Sequence, residues 1–317
     1  MTSPPPAREQ VEALLTDVHE WAVHDLEPLS GGFWSTAFGY RVGEQRLVLR
    51  LGDLPGAFEV ERLAMAFDGP DLPVPEVLHI GTALGLTYAI SRRHDGRFLE
   101  TIRPEEADVA GPAIMRMLGA LRAVPTAPDA PAEWEPAGAP SESTWARWLT
   151  DGLLDDPARR VSGWRATLAA DPEFDHLYAT CEERVRSLVA SCPERRDVVH
   201  GDLLHGNVLV DEDASQVTAV FSWKCSVRGD FLYDVAWCSF WGPWHPGIEA
   251  VDVWSRSLAG AREDPGAFVD AAVRHHCYEL QIGATHLGWY AWTGDAVGLR
   301  AGAARTAEVL ERGPLPG

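Results

Sequence analysis

The stretch that decides the fold runs from His200 to Asn207 and reads His-Gly-Asp-Leu-Leu-His-Gly-Asn. A short apolar run, Val198-Val199, precedes it, and a second apolar run follows it at 208–210. Short β-branched runs bounded by glycine are typical of strands. Asp202 and Asn207 are therefore predicted to stand on one loop between two strands.

An Asp and an Asn five residues apart on such a loop form the arrangement of a kinase catalytic loop. Asp202 would accept the proton of an attacking hydroxyl. Asn207 would give an oxygen to a magnesium ion that bridges the nucleotide phosphates. A turn merely rich in Asp and Gly is the plain alternative, but the full spacing between two strands favours the functional interpretation.

The composition limits the classes of function. The chain has 317 residues and a formal net charge of -20, so its length suits two lobes better than one core, and its charge repels nucleic-acid phosphates. The same charge would steer a cationic small molecule to the surface, although solubility alone also explains it. We expect a cytoplasmic protein without a nucleic-acid or membrane partner, since no apolar run reaches about 18 residues and the N-terminus has no signal-peptide pattern.

Two regions differ in their periodicity. Alternating apolar positions in the first part predict strands at 37–42, 46–51, 77–80 and 86–91. Helical spacing predicts helices at 11–25 and 58–67 there, and the Pro- and Ala-rich stretch 124–140 is predicted to be a linker. Most of the remainder is predicted to be helical, at 143–154, 158–170, 173–190, 233–240, 248–258, 267–290 and 296–310.

The loop that ends at Asn207 resembles that of the aminoglycoside phosphotransferase family, within the wider protein-kinase-like superfamily. Four other segments resemble the hygromycin-type members of the family: Leu47 to Arg50, Leu72 to Gly81, Leu86 to Arg93 and Phe240 to Trp244. The resemblance implies an α+β, bilobal protein-kinase-like fold. A small β-sheet N-lobe, residues 1–92, would bind the nucleotide, and a mainly helical C-lobe, residues 93–317, would carry catalysis and acceptor binding.

The resemblance also implies roles for residues of the first lobe. Arg50 falls where the family places its phosphate-gripping cation, usually a lysine, and an arginine fork can hold phosphate oxygens as well. Glu61 best matches the helix carboxylate that pairs with this cation, and Glu59 is the second choice.

Two further segments are expected to contact the nucleotide. Ser30, Gly31 and Gly32 lie where relatives cover the phosphates, so their backbone N–H groups would cradle phosphate oxygens. Ser91 lies in the hinge, which would offer backbone groups to the purine ring.

Ser222 departs from the family pattern. Relatives carry an aspartate there that chelates the metal, and together with Asn207 this position would form the Mg²⁺ site. A neutral hydroxyl replaces a charged oxygen, although Mg²⁺ prefers hard, charged ligands, and the loss is expected to weaken phosphoryl transfer.

Three explanations of Ser222 remain open. Asp230 or Asp234 would supply the missing carboxylate. Alternatively, Lys224 would replace part of the metal's charge, if the strand continues and brings both side chains to one face. In the third case, the protein binds a nucleotide or small molecule without efficient phosphotransfer, or it uses the cleft for other chemistry with Asp202 as proton acceptor.

The sequence thus predicts an ATP- or GTP-dependent O-phosphotransferase that uses Mg²⁺ and acts on a hydroxyl of a small molecule. An aminoglycoside-like antibiotic or a natural-product intermediate is the favoured acceptor, with antibiotic resistance as the associated role. One alternative is a degenerate kinase, or pseudokinase, that serves as a binding or biosynthetic protein. Another is a Ser/Thr kinase of a peptide natural product.

Overall fold

The computed structural model describes residues 6–19, 22–29, 32–125 and 144–316. The helices are α1 (Arg8–Val18), α2 (Ala57–Ala64), α3 (Ala107–Ala123), α4 (Trp145–Asp151), α5 (Trp164–Ala169), α6 (Pro172–Leu188), α7 (Leu232–Trp241), α8 (Pro246–Val251), α9 (Val253–Ala259), α10 (Ala271–Thr293) and α11 (Ala296–Arg312). The strands are β1 (Val23–Leu29), β2 (Ser35–Val42), β3 (Gln45–Gly52), β4 (Val77–Ala83), β5 (Leu86–Arg92), β6 (Arg97–Phe98), β7 (Asp197–Val199), β8 (Val208–Val210), β9 (Val217–Val220) and β10 (Val227–Gly229).

The chain divides into two compact units. The first contains the described residues up to Thr101 together with 202–226, and the second contains the other described residues, 102–201 and 227–316. The predicted functional division at residue 92 stays a prediction.

The first unit is built on an antiparallel five-stranded sheet in the order β1-β2-β3-β5-β4. Two-residue turns join β2 to β3 and β4 to β5, and in the second turn both Leu84 and Gly85 have positive φ, as tight hairpins require. The short turns fix the register, so that Phe38 lies opposite Leu49 and Leu49 opposite Ile90.

Strand β3 shows how the sheet separates core from site. Its leucines, Leu47, Leu49 and Leu51, are almost fully buried in an apolar cluster with α1. Side chains of a strand alternate between two faces, so Val48 and Arg50 point to the opposite face, where they line a cavity. The alternating pattern of β3 therefore places an arginine at the cavity.

A second, three-stranded sheet of the first unit, in the order β6-β8-β9, holds the end of the 200–207 loop. Phe98 of β6 lies opposite Leu209 of β8, and Val208 lies opposite Val220 of β9. Gly96 allows this approach, because a Cβ atom there would stand 2.5 Å from the Val210 carbonyl oxygen.

The second unit is mainly helical and is arranged around α10, which contacts α5, α6, α7 and α11. Asp230 is fully buried and accepts hydrogen bonds from Arg274 Nε at 2.8 Å and Nη2 at 2.7 Å, and from the Tyr278 hydroxyl at 2.6 Å. A buried ion pair is tolerated when hydrogen bonds satisfy its charges in this way. Among the described residues, no helix is long and apolar enough to cross a membrane.

The predicted α+β class is confirmed, and the strands predicted at 37–42, 46–51, 77–80 and 86–91 lie within β2 to β5. Five helix predictions had wrong bounds: the helices predicted at 11–25 and 143–154 end at Val18 and Asp151, those predicted at 158–170 and 267–290 begin at Trp164 and Ala271, and the one predicted at 248–258 is divided at Asp252 into α8 and α9. The first helix ends at Val18 and is followed by β1, whose residues show no alternating apolar pattern and include Pro28, so the sequence carries no strand signal there. Helix α5 starts only after Gly163, and α10 only after Asp270, both with positive φ. Most of the linker predicted at 124–140 lies outside the described residues.

His276 on α10 gives the fold a pH dependence. It is fully buried, and neither ring nitrogen has a hydrogen-bond partner within the described part of the chain. Burial lowers its pKa from 6.5 to about 4, with the charges of Arg312 and Arg184 acting in the same direction and Glu279 against them. The folded protein therefore keeps His276 neutral where the unfolded chain protonates it.

Between pH 6.5 and 4 the unfolded chain binds a proton at His276 that the folded protein does not bind. We therefore predict that titration of His276 does not affect the free energy of unfolding above pH 6.5 and lowers it by about 1.4 kcal/mol per pH unit as the pH falls from 6.5 towards 4. His276→Leu should flatten the decline of the free energy of unfolding between pH 6.5 and 4.5, measured by urea denaturation. His176→Leu, at an exposed site of α6, is the matched control and should leave the decline unchanged. Equal slopes for wild type and His276→Leu would contradict this prediction.

Candidate active site

Asp202 and Asn207 are in direct contact. The amide nitrogen of Asn207 donates to Asp202 Oδ2 at 2.8 Å, to the Asp202 backbone oxygen at 2.7 Å and to the Leu204 backbone oxygen at 3.0 Å. Asn207 is only 7% exposed. Because its nitrogen is turned into the loop, the amide oxygen Oδ1 faces away from these three acceptors.

The 200–207 loop reaches this geometry through left-handed backbone at Gly201, His205 and Gly206, with φ of 72°, 67° and 78°. Glycine takes up such angles without a steric penalty. At His205, which has a side chain, the ring contacts Asp202, with Nδ1 2.9 Å from Asp202 Oδ1. Both carboxylate oxygens of Asp202 are thereby oriented.

Asp234 of α7 holds the start of the same loop. Its two carboxylate oxygens accept hydrogen bonds from the backbone N–H groups of His200 and Gly201, each at 2.8 Å. A carboxylate at the first turn of a helix is also favoured by the helix dipole. Asp234 is thus engaged with backbone in the second unit and does not line the cavity.

Arg50 of β3 and Glu61 of α2 form a two-pronged ion pair. Arg50 Nη1 donates to Glu61 Oε1 at 2.6 Å, and Nη2 donates to Oε2. Their side chains are 14% and 8% exposed, and the guanidinium lies 5.4 Å from the Phe58 ring centre. The structure pairs Arg50 with Glu61 and not with Glu59.

The first unit contains a cavity of 520 Å³, a size suited to a small-molecule ligand. It brings together five residues that the sequence analysis selected: Gly32, Arg50, Ser91, Asn207 and Ser222. Asp202 is not part of the lining, and Ser30 and Gly31 lie outside the described residues. Arg92 and Arg93 also line the cavity, and each is paired with a carboxylate, Arg92 with Glu76 and Arg93 with Glu27, both at 2.5 Å.

Ser222 stands where the backbone turns. Strand β9 ends at Val220, and Ser222 has φ 69° and ψ 51° before a short 3₁₀ turn at Trp223–Cys225. The strand does not continue to Lys224, so the expectation that both side chains share a strand face was wrong. Lys224 is not among the residues that line the cavity.

The structure does not place Asp230 or Asp234 at the cavity. Asp230 is buried against Arg274 and Tyr278, and Asp234 binds the loop backbone. Neither carboxylate lines the cavity, so the structure offers no support for either as a substitute metal ligand.

Glu100 is a cavity residue that sequence reasoning missed. Its Oε1 accepts a hydrogen bond from the Gly206 backbone N–H, and its Oε2 is buried without a hydrogen-bond partner among the described residues. Burial, and secondarily the charge of Asp202, raises the pKa of Glu100, while its backbone hydrogen bonds and His205 act in the opposite direction. The only available signal was the segment after the hinge, Asp-Gly-Arg-Phe-Leu-Glu, in which an acid follows a short strand.

The cavity residues fit a magnesium ion. Asn207 Oδ1, the Ser222 hydroxyl and the Glu100 carboxylate are all oxygen donors, the type that Mg²⁺ requires. Within the described residues there is no cluster of three or more His, Cys, Asp and Glu side chains that could hold a metal. Proteins usually bind Mg²⁺ through one or two carboxylates, and phosphates and water complete its ligands.

Comparison with known proteins decides the family. Residues 25–268 match the Phosphotransferase enzyme family. The chain belongs to this family. Over 247 residues it is 31% identical to hygromycin-B 4-O-kinase of Escherichia coli, a match that covers 77% of this chain and 70% of that protein.

Solved structures of family members superpose closely. The crystal structure of aminoglycoside phosphotransferase APH(4)-Ia gives a TM-score of 0.82 at 28% identity, covering 96% of this chain and 99% of the other. A thermostable mutant of the same phosphotransferase, in a ternary complex with AMP-PNP and hygromycin B, gives 0.80 at 28% identity, covering 95% and 98%. These matches confirm the predicted resemblance and the kinase-like α+β fold.

The buried ion pair of Arg50 yields a test of the site's architecture. Arg50→Ala leaves the Glu61 carboxylate buried without its cation, so we predict a loss of about 3 kcal/mol in the free energy of unfolding. Arg46→Ala on the same strand is the matched control, because its partner Asp95 is 76% exposed and surface pairs contribute little. Urea denaturation of both variants measures the difference, and equal losses would refute the prediction.

Proposed function

We propose that the protein is an ATP- or GTP-dependent O-phosphotransferase that acts on a hydroxyl of a small molecule. The observation that carries this proposal is the contact of the Asp202 carboxylate with the Asn207 amide on one short loop, with Asn207 lining a cavity that Arg50 also lines. Family membership supports the same reaction class.

In the proposed reaction, Asp202 accepts the proton of the attacking hydroxyl. Its carboxylate is held by His205 on one oxygen and by Asn207 on the other, which restricts its rotation. A fixed base contributes more to catalysis than a mobile one, because less orientational freedom is lost on reaching the transition state.

Arg50 grips the α- and β-phosphates in this proposal, and Glu61 holds the guanidinium in position. The backbone of Ser30, Gly31 and Gly32 covers the phosphates. Residues 1–92 supply these groups, together with Ser91 beside the purine ring, and residues 93–317 supply the 200–207 loop. A bound Mg²⁺, held by Asn207 Oδ1 and Ser222, would neutralise charge on the transferred phosphoryl group.

An aminoglycoside-like antibiotic is the favoured acceptor. Hygromycin-B 4-O-kinase and a phosphotransferase crystallised with hygromycin B are both similar to this chain. The net charge of -20 would steer a polycationic acceptor to the protein. We place the reaction in the cytoplasm, where nucleoside triphosphates are supplied, and associate it with antibiotic resistance.

The proposal predicts a phosphorylated product when the protein is incubated with ATP or GTP, Mg²⁺ and a panel of aminoglycosides. Asp202→Asn should lower kcat by about a hundredfold to ten-thousandfold, since it removes the proton acceptor. Mass spectrometry of the acceptor and calorimetry of nucleotide binding are the measurements. A serine-containing peptide natural product in the panel tests the peptide-kinase alternative. Without product from any acceptor and without nucleotide binding, the proposal fails.

Ser222 supports a second candidate, a degenerate kinase that binds its ligand without efficient phosphotransfer. Ser222→Asp tests it, because Asp tolerates the left-handed backbone found there. If wild type is inert and this change creates Mg²⁺-dependent turnover, the hypothesis of a degenerate kinase is correct. If wild type is already active and the change alters kcat less than about threefold, under 1 kcal/mol in the barrier, the enzyme reading stands.

A further inference from the structure

Glu100 is the single acidic residue among the described residues that line the cavity. Three arginines, Arg50, Arg92 and Arg93, line it as well, and each is already paired with another glutamate, so none of them is known to neutralise Glu100. A pocket that only had to attract polyphosphate would exclude a carboxylate, because like charges repel at close range. The presence of Glu100 therefore calls for a positive or hydrogen-donating group in the bound state.

Only one of the two oxygens of the Glu100 carboxylate has a hydrogen-bond partner among the described residues. Oε1 is anchored by the Gly206 N–H, while Oε2 is shielded from solvent and accepts no hydrogen bond in the described chain. A buried oxygen without a partner carries a desolvation cost of about 1–3 kcal/mol, and more when it is charged. A ligand atom that meets Oε2 would remove this cost.

The position of Glu100 relates it to the proposed metal site. Gly206, which holds Oε1, directly precedes Asn207, and Asn207 and Ser222 line the same cavity. Glu61 is paired with Arg50, and Asp202 with both His205 and Asn207. Among the described residues that line the cavity, Glu100 is thus the carboxylate that remains available where Ser222 provides none.

We propose that Glu100 supplies the anionic oxygen to the divalent cation in place of the aspartate that Ser222 replaces. The inference rests on the proposed function, since the cation enters with the nucleotide. With Glu100, the cavity offers a carboxylate, an amide oxygen and a hydroxyl, and the nucleotide phosphates complete the ligands as is usual for Mg²⁺. Without Glu100 the same site would offer only neutral oxygens.

The test measures binding of Mn²⁺, as a spectroscopic substitute for Mg²⁺, to the full-length protein in the presence of ADP by electron paramagnetic resonance. Glu100→Gln keeps the shape of the side chain and removes its charge, so we expect Mn²⁺ affinity to fall about tenfold or more. Affinity for ADP without metal should change less than about twofold. Glu105→Gln, at an exposed position outside the cavity, is the matched control and should bind Mn²⁺ like wild type.

A second variant separates a lost ligand from a damaged fold. Adding Ser222→Asp to Glu100→Gln should restore most of the Mn²⁺ affinity, because a carboxylate returns to the cavity from another position. Failure of this rescue, with both proteins folded by circular dichroism, would count against the proposal.

Besides a failed rescue, three results would overturn the inference. Unchanged Mn²⁺ affinity of Glu100→Gln overturns it while nucleotide binding keeps the proposed function intact. A loss of discrimination between ADP and 2′-deoxy-ADP, with Mn²⁺ binding intact, would show that Oε2 accepts a hydrogen bond from the ribose instead. If wild type binds no nucleotide at all, the proposed function fails and the inference fails with it.

Discussion

Asn207 donates through one amide nitrogen to three oxygen atoms of its own loop, one of them on the Asp202 carboxylate. These hydrogen bonds hold the Asp202 carboxylate in place. They also turn the amide oxygen of Asn207 away from that carboxylate. A buried amide has few alternative partners, so breaking these bonds would leave a donor unsatisfied at a cost of about 1–3 kcal/mol. The proposed base and the proposed metal ligand therefore cannot move independently.

Buried ion pairs position the remaining groups in the same manner. In the first unit, Glu61 fixes the Arg50 guanidinium at the cavity. In the second unit, Asp230, two residues before α7, is neutralised by Arg274. Such pairs contribute little net stability compared with apolar residues of the same size. Their value lies in orientation, since two parallel hydrogen bonds define the plane of a guanidinium and a single contact does not.

Whether the sequence could predict a contact depends on how far apart the two residues are along the chain. Asp202 and Asn207 are five residues apart, so their contact appears as a local pattern. Glu100 is 106 residues from the Gly206 N–H that holds it, and no spacing rule connects the two. The prediction for Lys224 failed because strand periodicity applies only while the strand continues. Strand β9 ends at Val220, and Ser222 then has left-handed backbone. Strand β1 was missed because its residues show no apolar alternation, include Pro28 and bury only Leu26.

The relation between Ser222 and Glu100 illustrates how a charge requirement differs from a backbone requirement. The left-handed turn at residue 222 depends on local geometry, and a serine there keeps the turn. Coulombic stabilisation depends on distance and on exclusion of water and is indifferent to the segment that carries the charge. A carboxylate from the post-hinge segment therefore meets the electrostatic need of a cation if it reaches the same cavity, as Glu100 does.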